Sequence, residues 1–251
     1  MSTVGAKVIL IPGAWMGAWI WEPTVNRLVE RGIDAETLTL RGLEAGVPKS
    51  EIAAVRLADH VRQLRDVVDG HRVPVVLVSH SYSAMVTAQV ADRVGGKVAG
   101  LVHFGGFLPV DGRSLLDGWG STPEERDAER ADIVRAGGLW LPPTRPMLDH
   151  ETDLTPADRD LLAGGFTPHP GHTITDRAEL AVPVGTRPTT YVALSTAGPD
   201  DAWRHAPAAA RDATAWRRRH IASGHWPMLS APDTTADLID GEVREHTAAL
   251  G

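Results

Sequence analysis

Short apolar runs and amphipathic stretches alternate along the first half of the chain. Residues 7–11 form an apolar run that stops at Pro12-Gly13, and residues 73–78 form a longer run rich in valine. Such runs predict strands, whereas apolar residues spaced three to four apart predict helices. We therefore predict strands at residues 7–11, 35–40, 73–78 and 98–104, and helices at residues 19–31, 51–68 and 84–94. This alternation favours a parallel sheet with helices on both faces, with ligands bound beyond the carboxyl ends of the strands.

The pattern changes after the fourth predicted strand. Proline and glycine become frequent, no strand is evident, and residues 122–136 are typical of a charged helix that Thr122 and Glu125 would cap. Later elements are predicted as strands at residues 189–194 and 213–221 and a helix at residues 234–250. The fold class is thus α/β, with a core of residues 1–109 and 187–251 and an inserted helical lid of residues 110–186.

Composition and charge exclude several classes of protein. A net charge of −7 argues against a nucleic-acid binder, and we assign Arg217-Arg218-Arg219 to solvated surface. No apolar run approaches the roughly 20 residues that span a bilayer, and residues 1–7 carry no export signal, so we expect a cytoplasmic protein that does not bind membranes. Only three of the 25 basic residues are lysine, which together with the alanine content suggests a bacterial genome of high GC content.

The chain has no cysteine, which excludes disulfides, thiolate metal sites and a cysteine nucleophile. His169 and His172 are close in sequence, but Pro170-Gly171 breaks the helix that would aim both at one metal ion. No glycine-rich phosphate loop is present. We therefore predict neither a metal nor a cofactor, and serine chemistry is left.

Ser81 lies where the apolar run 73–78 gives way to the predicted helix 84–94, in the stretch Ser79-His80-Ser81-Tyr82-Ser83. A hydroxyl on a sharp turn between a buried strand and a helix N-terminus is typical of a nucleophile. The turn also aims the backbone N–H of Tyr82 towards the pocket, where it could hold an oxyanion. The alternative is an ordinary serine-rich turn.

A serine hydroxyl needs a base within hydrogen-bonding reach. His225 is the candidate, because it follows the last predicted strand in Ser223-Gly224-His225-Trp226. Strand ends on one side of a parallel sheet meet in space, so the separation in sequence from Ser81 is no obstacle.

Five motifs together resemble the α/β-hydrolases, in particular the subfamily of salicylate-ester esterases, hydroxynitrile lyases and bacterial esterase-like proteins. They are residues 12–19, the turn at Ser81, Phe107-Leu108-Pro109, Thr167-Pro168-His169-Pro170 and Gly224-His225. The resemblance covers nearly the whole chain and implies the α/β-hydrolase fold. The chain departs from the family pattern Gly-x-Ser-x-Gly, since Ser79 and Ser83 replace both glycines.

The same resemblance implies that the residue after Gly13 supplies a second oxyanion donor, the backbone N–H of Ala14. Pro12 stands where the family usually has histidine. Trp15, Trp140 and Trp226 are candidate substrate-binding residues, and their alternative role is packing. If they line the pocket, the ligand is apolar and aromatic.

The carboxylate that would orient His225 is missing from the family's usual place. After the strand 189–194 the first carboxylates are Asp200 and Asp201, and Asp111 is the first after the strand 98–104. We favour Asp200 or Asp201 as the catalytic acid, and a dyad without an acid is the alternative.

The first hypothesis for function is a cofactor-independent serine hydrolase, acting through an acyl-Ser81 on a small to medium apolar ester, thioester or lactone. The second is a lyase, cyclase or isomerase of secondary metabolism that uses the same Ser/His pair, and the third is a non-catalytic small-molecule binding protein. The expected partner is a small-molecule substrate, and a homodimer is left open.

Overall fold

The computed structural model describes residues 6–248, and six of its strands form one parallel sheet. The strands are β1 (Lys7–Ile11), β2 (Ala35–Thr37), β3 (Val75–His80), β4 (Val98–Phe104), β5 (Leu139–Trp140), β6 (His169–Pro170), β7 (Thr189–Leu194) and β8 (Arg217–Ile221). The helices are α1 (Glu22–Glu30), α2 (Lys49–Ala54), α3 (Leu57–Gly70), α4 (Ala84–Val94), α5 (Pro123–Arg135), α6 (Arg145–Leu148), α7 (Pro156–Gly165), α8 (His172–Thr175), α9 (Pro199–His205), α10 (Ala208–Asp212), α11 (Pro227–Ser230) and α12 (Pro232–Thr247). The sheet order is β2-β1-β3-β4-β7-β8, so the predicted α/β fold is confirmed.

Alternate residues of each strand enter opposite hydrophobic clusters, because successive side chains of a strand point to opposite faces. Ile9 and Leu77 pack with side chains of α3 and α4, whereas Leu10 and Val78 pack with side chains of α1 and α12. Every residue of β3 is buried. The central strand is therefore covered on both sides, which explains its continuous apolar sequence.

The register of the sheet brings distant loops together. Ile11 of β1 pairs with Ser79 of β3, and His80 pairs with Phe104 of β4. Leu194 of β7 pairs with Ile221 of β8 in the same way. All strands run parallel, so the loops that follow β1, β3, β4, β7 and β8 emerge at one edge of the sheet.

Several predicted elements differ in the structure. The predicted strands 35–40 and 213–221 are shorter, Ala35–Thr37 and Arg217–Ile221. The predicted helix 51–68 is two helices, because Val55 is extended and Asp59 caps a new helix by accepting the backbone N–H of Arg56 at 2.9 Å. No strand was predicted between residues 110 and 186, yet β5 and β6 form a short antiparallel pair there. Two-residue strands leave too little alternation to detect in a sequence. The expectations for residues 1–5 and for Leu250 lie outside the described residues.

The predicted lid also contains the four helices α5 to α8, joined by loops. Helix α5 begins at the predicted cap, where Thr122 accepts the Glu125 N–H at 3.2 Å and the Glu125 carboxylate accepts the Thr122 N–H. Between residues 6 and 248, the structure contains no helix with the length and apolarity needed to cross a bilayer.

Arg217 and Arg219 of the basic cluster are held by one buried carboxylate on α12. Glu242 is 3% exposed and accepts hydrogen bonds from Arg217 Nε at 2.7 Å and Thr190 Oγ1 at 2.6 Å, while Arg219 Nε lies 2.7 Å from its second oxygen. Burial alone would raise the pKa of Glu242, but the hydrogen bonds from Arg217 and Thr190 and the arginine charges outweigh it and lower that pKa. The cluster therefore fastens α12 to the edge of the sheet.

We expect Glu242→Ala to lower the free energy of unfolding by about 2–3 kcal/mol, because it leaves two arginines without their shared partner. Urea unfolding at pH 7 measures this change. The matched control is Glu245→Ala, whose carboxylate is mostly exposed and bonds only to Arg217, and which should cost less than about 0.5 kcal/mol. The Glu242 contribution should be present above its ordinary pKa near 4.5 and disappear as the pH falls below it. Equal effects of the two substitutions would contradict this account.

Candidate active site

Ser81 occupies a strained turn at the end of β3. Its φ is 53°, and within the described chain the only other non-glycine residue with a positive φ is Trp15, at 65°. Such a conformation costs roughly 1–3 kcal/mol and persists only where its surroundings enforce it. The Ser81 carbonyl accepts the Phe107 N–H at 3.3 Å, and the side chain is 6% exposed.

The two serines that replace the family's glycines have buried partners for their hydroxyls. Ser79 Oγ and His103 Nδ1 lie 2.6 Å apart, and burial lowers the pKa of His103 to about 3, so this imidazole is neutral. Ser83 Oγ donates to the Ile11 carbonyl at 2.9 Å and accepts the His80 N–H at 3.0 Å. Both hydroxyls therefore bond to the core and tie the turn to β1 and β4. The role of His103 was not predicted, because nothing in its sequence context marks it.

His225 lies beside the turn that carries Ser81. Its imidazole ring is 4.7 Å from the ring of His80, and His80 Nε2–H donates to the His225 carbonyl at 2.7 Å. Burial lowers the pKa of His225 to about 4, so its ring is neutral at pH 7 and can accept a proton. No hydrogen bond joins Ser81 Oγ to the His225 ring within residues 6–248. Catalytic hydrogen bonds often tighten only when substrate binds.

The loop after β1 packs directly against this turn. A Cβ on Gly13 would lie 2.7 Å from His80 Nδ1 and 3.1 Å from Ser81 Cβ, so only glycine fits there. Ala14 follows, and its backbone N–H has no acceptor in residues 6–248. Tyr82 begins the turn after Ser81, where an N–H has no partner within the helix. Of the two predicted oxyanion donors, Tyr82 thus follows Ser81 directly in the chain, and Ala14 follows Gly13, which packs against Ser81.

The predicted acids do not contact His225. Asp200 is exposed, and Asp201 accepts a hydrogen bond from Ser195 Oγ at 2.7 Å and lies 3.4 Å from Arg204. Asp111 accepts the Leu180 N–H at 3.0 Å, far along the lid.

A lid carboxylate instead reaches the residue before His225. Asp153 accepts the Gly224 N–H at 2.6 Å, and the neighbouring Glu151 lines a cavity of about 430 Å³ together with His225. Burial and the charge of Asp153 raise the pKa of Glu151. Sequence reasoning missed both residues, since they follow no strand.

Aromatic side chains pack next to residues of the predicted site. The rings of Trp15 and Trp140 lie 4.2 Å apart, and Trp119 packs edge-on against Trp140 at 5.2 Å. Trp226 is buried, 6.4 Å from the ring of Phe166. Trp15, Trp119 and Trp140 also line a cavity of about 490 Å³. Of the three predicted substrate-binding tryptophans, Trp15 and Trp140 lie together, and Trp226 lies beside His225. Within the described residues, no group of three or more His, Asp or Glu side chains could hold a metal ion.

Curated relatives match parts of the chain. The carbendazim hydrolyzing esterase of Nocardioides sp. is 34% identical over 112 residues, which are 44% of this chain and 46% of that protein. Lipase LipV of Mycobacterium tuberculosis is 30% identical over 153 residues, which are 59% of this chain and 56% of LipV. The chain thus spans about half the length of the curated relatives it matches.

Solved structures match the fold over nearly its whole length. An alpha/beta-hydrolase from a Paenibacillus species, described as extracellular and as a homologue of tobacco salicylic acid binding protein 2, superposes with a TM-score of 0.78 at 19% identity, covering 93% of this chain and 97% of that one. A tomato methylketone synthase I variant complexed with beta-ketoheptanoate gives 0.73 at 16% identity, covering 97% and 99%.

A family model described as the alpha/beta hydrolase family matches residues 8–238. That range contains β1, the turn at Ser81, the lid and the loop of His225. The protein therefore belongs to the alpha/beta hydrolase family.

Proposed function

We propose that this protein is a serine hydrolase that cleaves a small to medium apolar carboxylic ester, thioester or lactone, with an aromatic group favoured. The observation that carries the proposal is the positive φ of Ser81 at the end of β3, with a neutral His225 beside the same turn. A strained serine next to an uncharged imidazole is what nucleophilic catalysis requires.

The reaction has two stages, the acylation of Ser81 and the hydrolysis of the acyl-enzyme. Ser81 Oγ attacks the carbonyl carbon as His225 takes its proton, and the N–H groups of Ala14 and Tyr82 bind the oxyanion. The bond to the leaving alcohol or thiol then breaks, and His225 returns the proton to its oxygen or sulfur. Water then attacks the acyl carbon of acyl-Ser81 as His225 takes a proton from it, the bond to Ser81 Oγ breaks to release the acid, and His225 returns that proton to Ser81 Oγ. Trp15 follows Ala14 in the chain, and the ring of Trp226 lies 5.0 Å from the ring of His225, so these two tryptophans support an aromatic substituent on the substrate.

A non-hydrolytic lyase, cyclase or isomerase is the second candidate. Within residues 6–248 no carboxylate is hydrogen-bonded to the His225 ring. Ser81 and a His225 without such a partner can serve as acid and base without forming an acyl-enzyme. Loss of turnover in His225→Ala, with no acyl-Ser81 on any ester tested, would favour this candidate.

Ser81→Ala should lower the hydrolysis of 4-nitrophenyl acetate by at least about 10³-fold, because the nucleophile is lost. Intact mass spectrometry after treatment with a fluorophosphonate should show one adduct on the parent protein and none on Ser81→Ala. Ser121→Ala, an exposed serine of the lid, is the control and should behave like the parent. If Ser81→Ala is as active as the parent, Ser81 is not the nucleophile.

The pH dependence of kcat/KM should reflect the lowered pKa of His225. The base works only when neutral, so activity should rise through an inflection near pH 4 and stay level to pH 7. Circular dichroism at each pH separates this inflection from acid unfolding. Since kcat/KM reports on the free enzyme, an inflection near pH 6.5 would mean that His225 is exposed to water or paired with a carboxylate before substrate binds.

Asp201→Asn should change kcat by less than about threefold, because its carboxylate bonds to Ser195 and not to His225. Loss of a working triad acid costs about 10⁴-fold, so steady-state kinetics separates the two cases clearly. A fall of that size would make Asp201 the acid and would require the loop 195–201 to rearrange on substrate binding.

A further inference from the structure

Trp15, which follows the predicted oxyanion donor Ala14, is held entirely by the lid. Its backbone N–H donates to His169 Nδ1 at 3.3 Å, and its carbonyl accepts the Thr167 N–H at 2.8 Å. Its indole Nε1–H donates to the Trp140 carbonyl at 3.0 Å. All three polar groups of Trp15 therefore bond to residues between 140 and 169. The left-handed conformation of Trp15 is stabilised from outside its own loop.

His169 contacts both sides of the predicted oxyanion hole. It accepts the Trp15 N–H, and its ring packs edge-on against Tyr82, with centroids 4.5 Å apart. Tyr82 is the residue whose backbone N–H would be the second donor. The hydroxyl of Tyr82 donates to His60 Nδ1 at 2.8 Å, because His60 Nε2–H donates to the Arg41 carbonyl at 2.7 Å. His169, a buried histidine of the predicted lid, thus contacts both Trp15 and Tyr82.

The surroundings of His169 fix its position and its tautomer. It is fully buried and belongs to β6, which pairs with β5 so that Trp140 lies opposite His169. Since Nδ1 accepts a hydrogen bond, the ring proton is on Nε2, and that atom has no partner among the residues described. A buried donor left unbonded is costly, and the hydrogen bond that Nδ1 accepts from Trp15 offsets part of this cost.

We propose that His169 is a positioning residue that sets the geometry of both oxyanion donors, so that the lid completes the oxyanion hole. The proposal rests on the proposed hydrolase function, because it assigns Ala14 and Tyr82 the role of donors. Without the Nδ1 acceptor, the peptide between Ala14 and Trp15 loses the bond that fixes its orientation, and the preceding peptide, which carries the Ala14 N–H, is held less firmly. Donors that are misaligned bind the transition state less well but leave ground-state binding of the ester unchanged.

Two substitutions separate the acceptor from the ring. His169→Phe keeps an aromatic ring against Tyr82 but removes the acceptor, whereas His169→Asn keeps an acceptor near the position of Nδ1. We expect His169→Phe to lower kcat on 4-nitrophenyl acetate about ten- to a hundredfold with KM within threefold, and His169→Asn to recover most of kcat. His172→Phe, on the exposed side of α8, is the matched control and should match the parent.

A trifluoromethyl ketone gives a readout that a merely structural role would not change. This inhibitor forms a tetrahedral oxyanion adduct with a serine, so its affinity should fall in His169→Phe by the same factor as kcat/KM. Circular dichroism and fluorophosphonate titration give the folded and active fraction of each variant. Folded His169→Phe protein with parental kcat and inhibitor affinity would overturn the proposal, and so would equal losses in kcat for both substitutions. If the parent itself forms no fluorophosphonate adduct, the proposed function fails and the role of His169 fails with it.

Discussion

The left-handed turn at Ser81 is the constraint on which the site depends. A non-glycine residue holds such a conformation only if its neighbours bond to it from several sides. Here Gly13 packs against Ser81, the Phe107 N–H donates to the Ser81 carbonyl, and the Ser83 hydroxyl bonds the turn to β1. The register of β1, β3 and β4 delivers all three, because it aligns the ends of those strands.

Buried neutral histidines form much of the framework around that turn. Burial lowers the pKa of His60, His80, His103 and His169 below the ordinary range, so each is an uncharged ring at neutral pH. An uncharged imidazole can donate at one nitrogen and accept at the other, which lets it link two backbone segments. His60 bonds in this way to Tyr82 and to the Arg41 carbonyl, whereas His80 bonds to the His225 loop and His169 to the Trp15 loop through one nitrogen each. Three loops distant in sequence are thereby held at one edge of the sheet.

The predicted lid bonds to two loops of the predicted site. It bonds to the Trp15 loop through His169, Thr167 and Trp140, and to the His225 loop through Asp153. A carboxylate after β7 is the usual way to steady a catalytic histidine in this family, and here that loop turns its Asp201 towards Ser195 instead. The His225 loop is bonded instead to Asp153, which accepts the backbone N–H of Gly224.

The sequence by itself determined the parallel sheet, the position of Ser81 and the candidacy of His225. Continuous apolar strands, helical spacing and small residues at strand ends are local signals, and they fixed β1, α4, β4 and β7 to the residue. The break at Val55, the short strand pair of the lid and the partners of Ser79 and Ser83 depended on contacts between segments far apart in the chain. Tertiary packing likewise decided which groups the carboxylates of Asp201 and Asp153 bond to. Whether Asp201 or Asp153 reaches the loop of His225 depends on how the lid and α9 lie against the sheet, and no spacing along the chain encodes that distance.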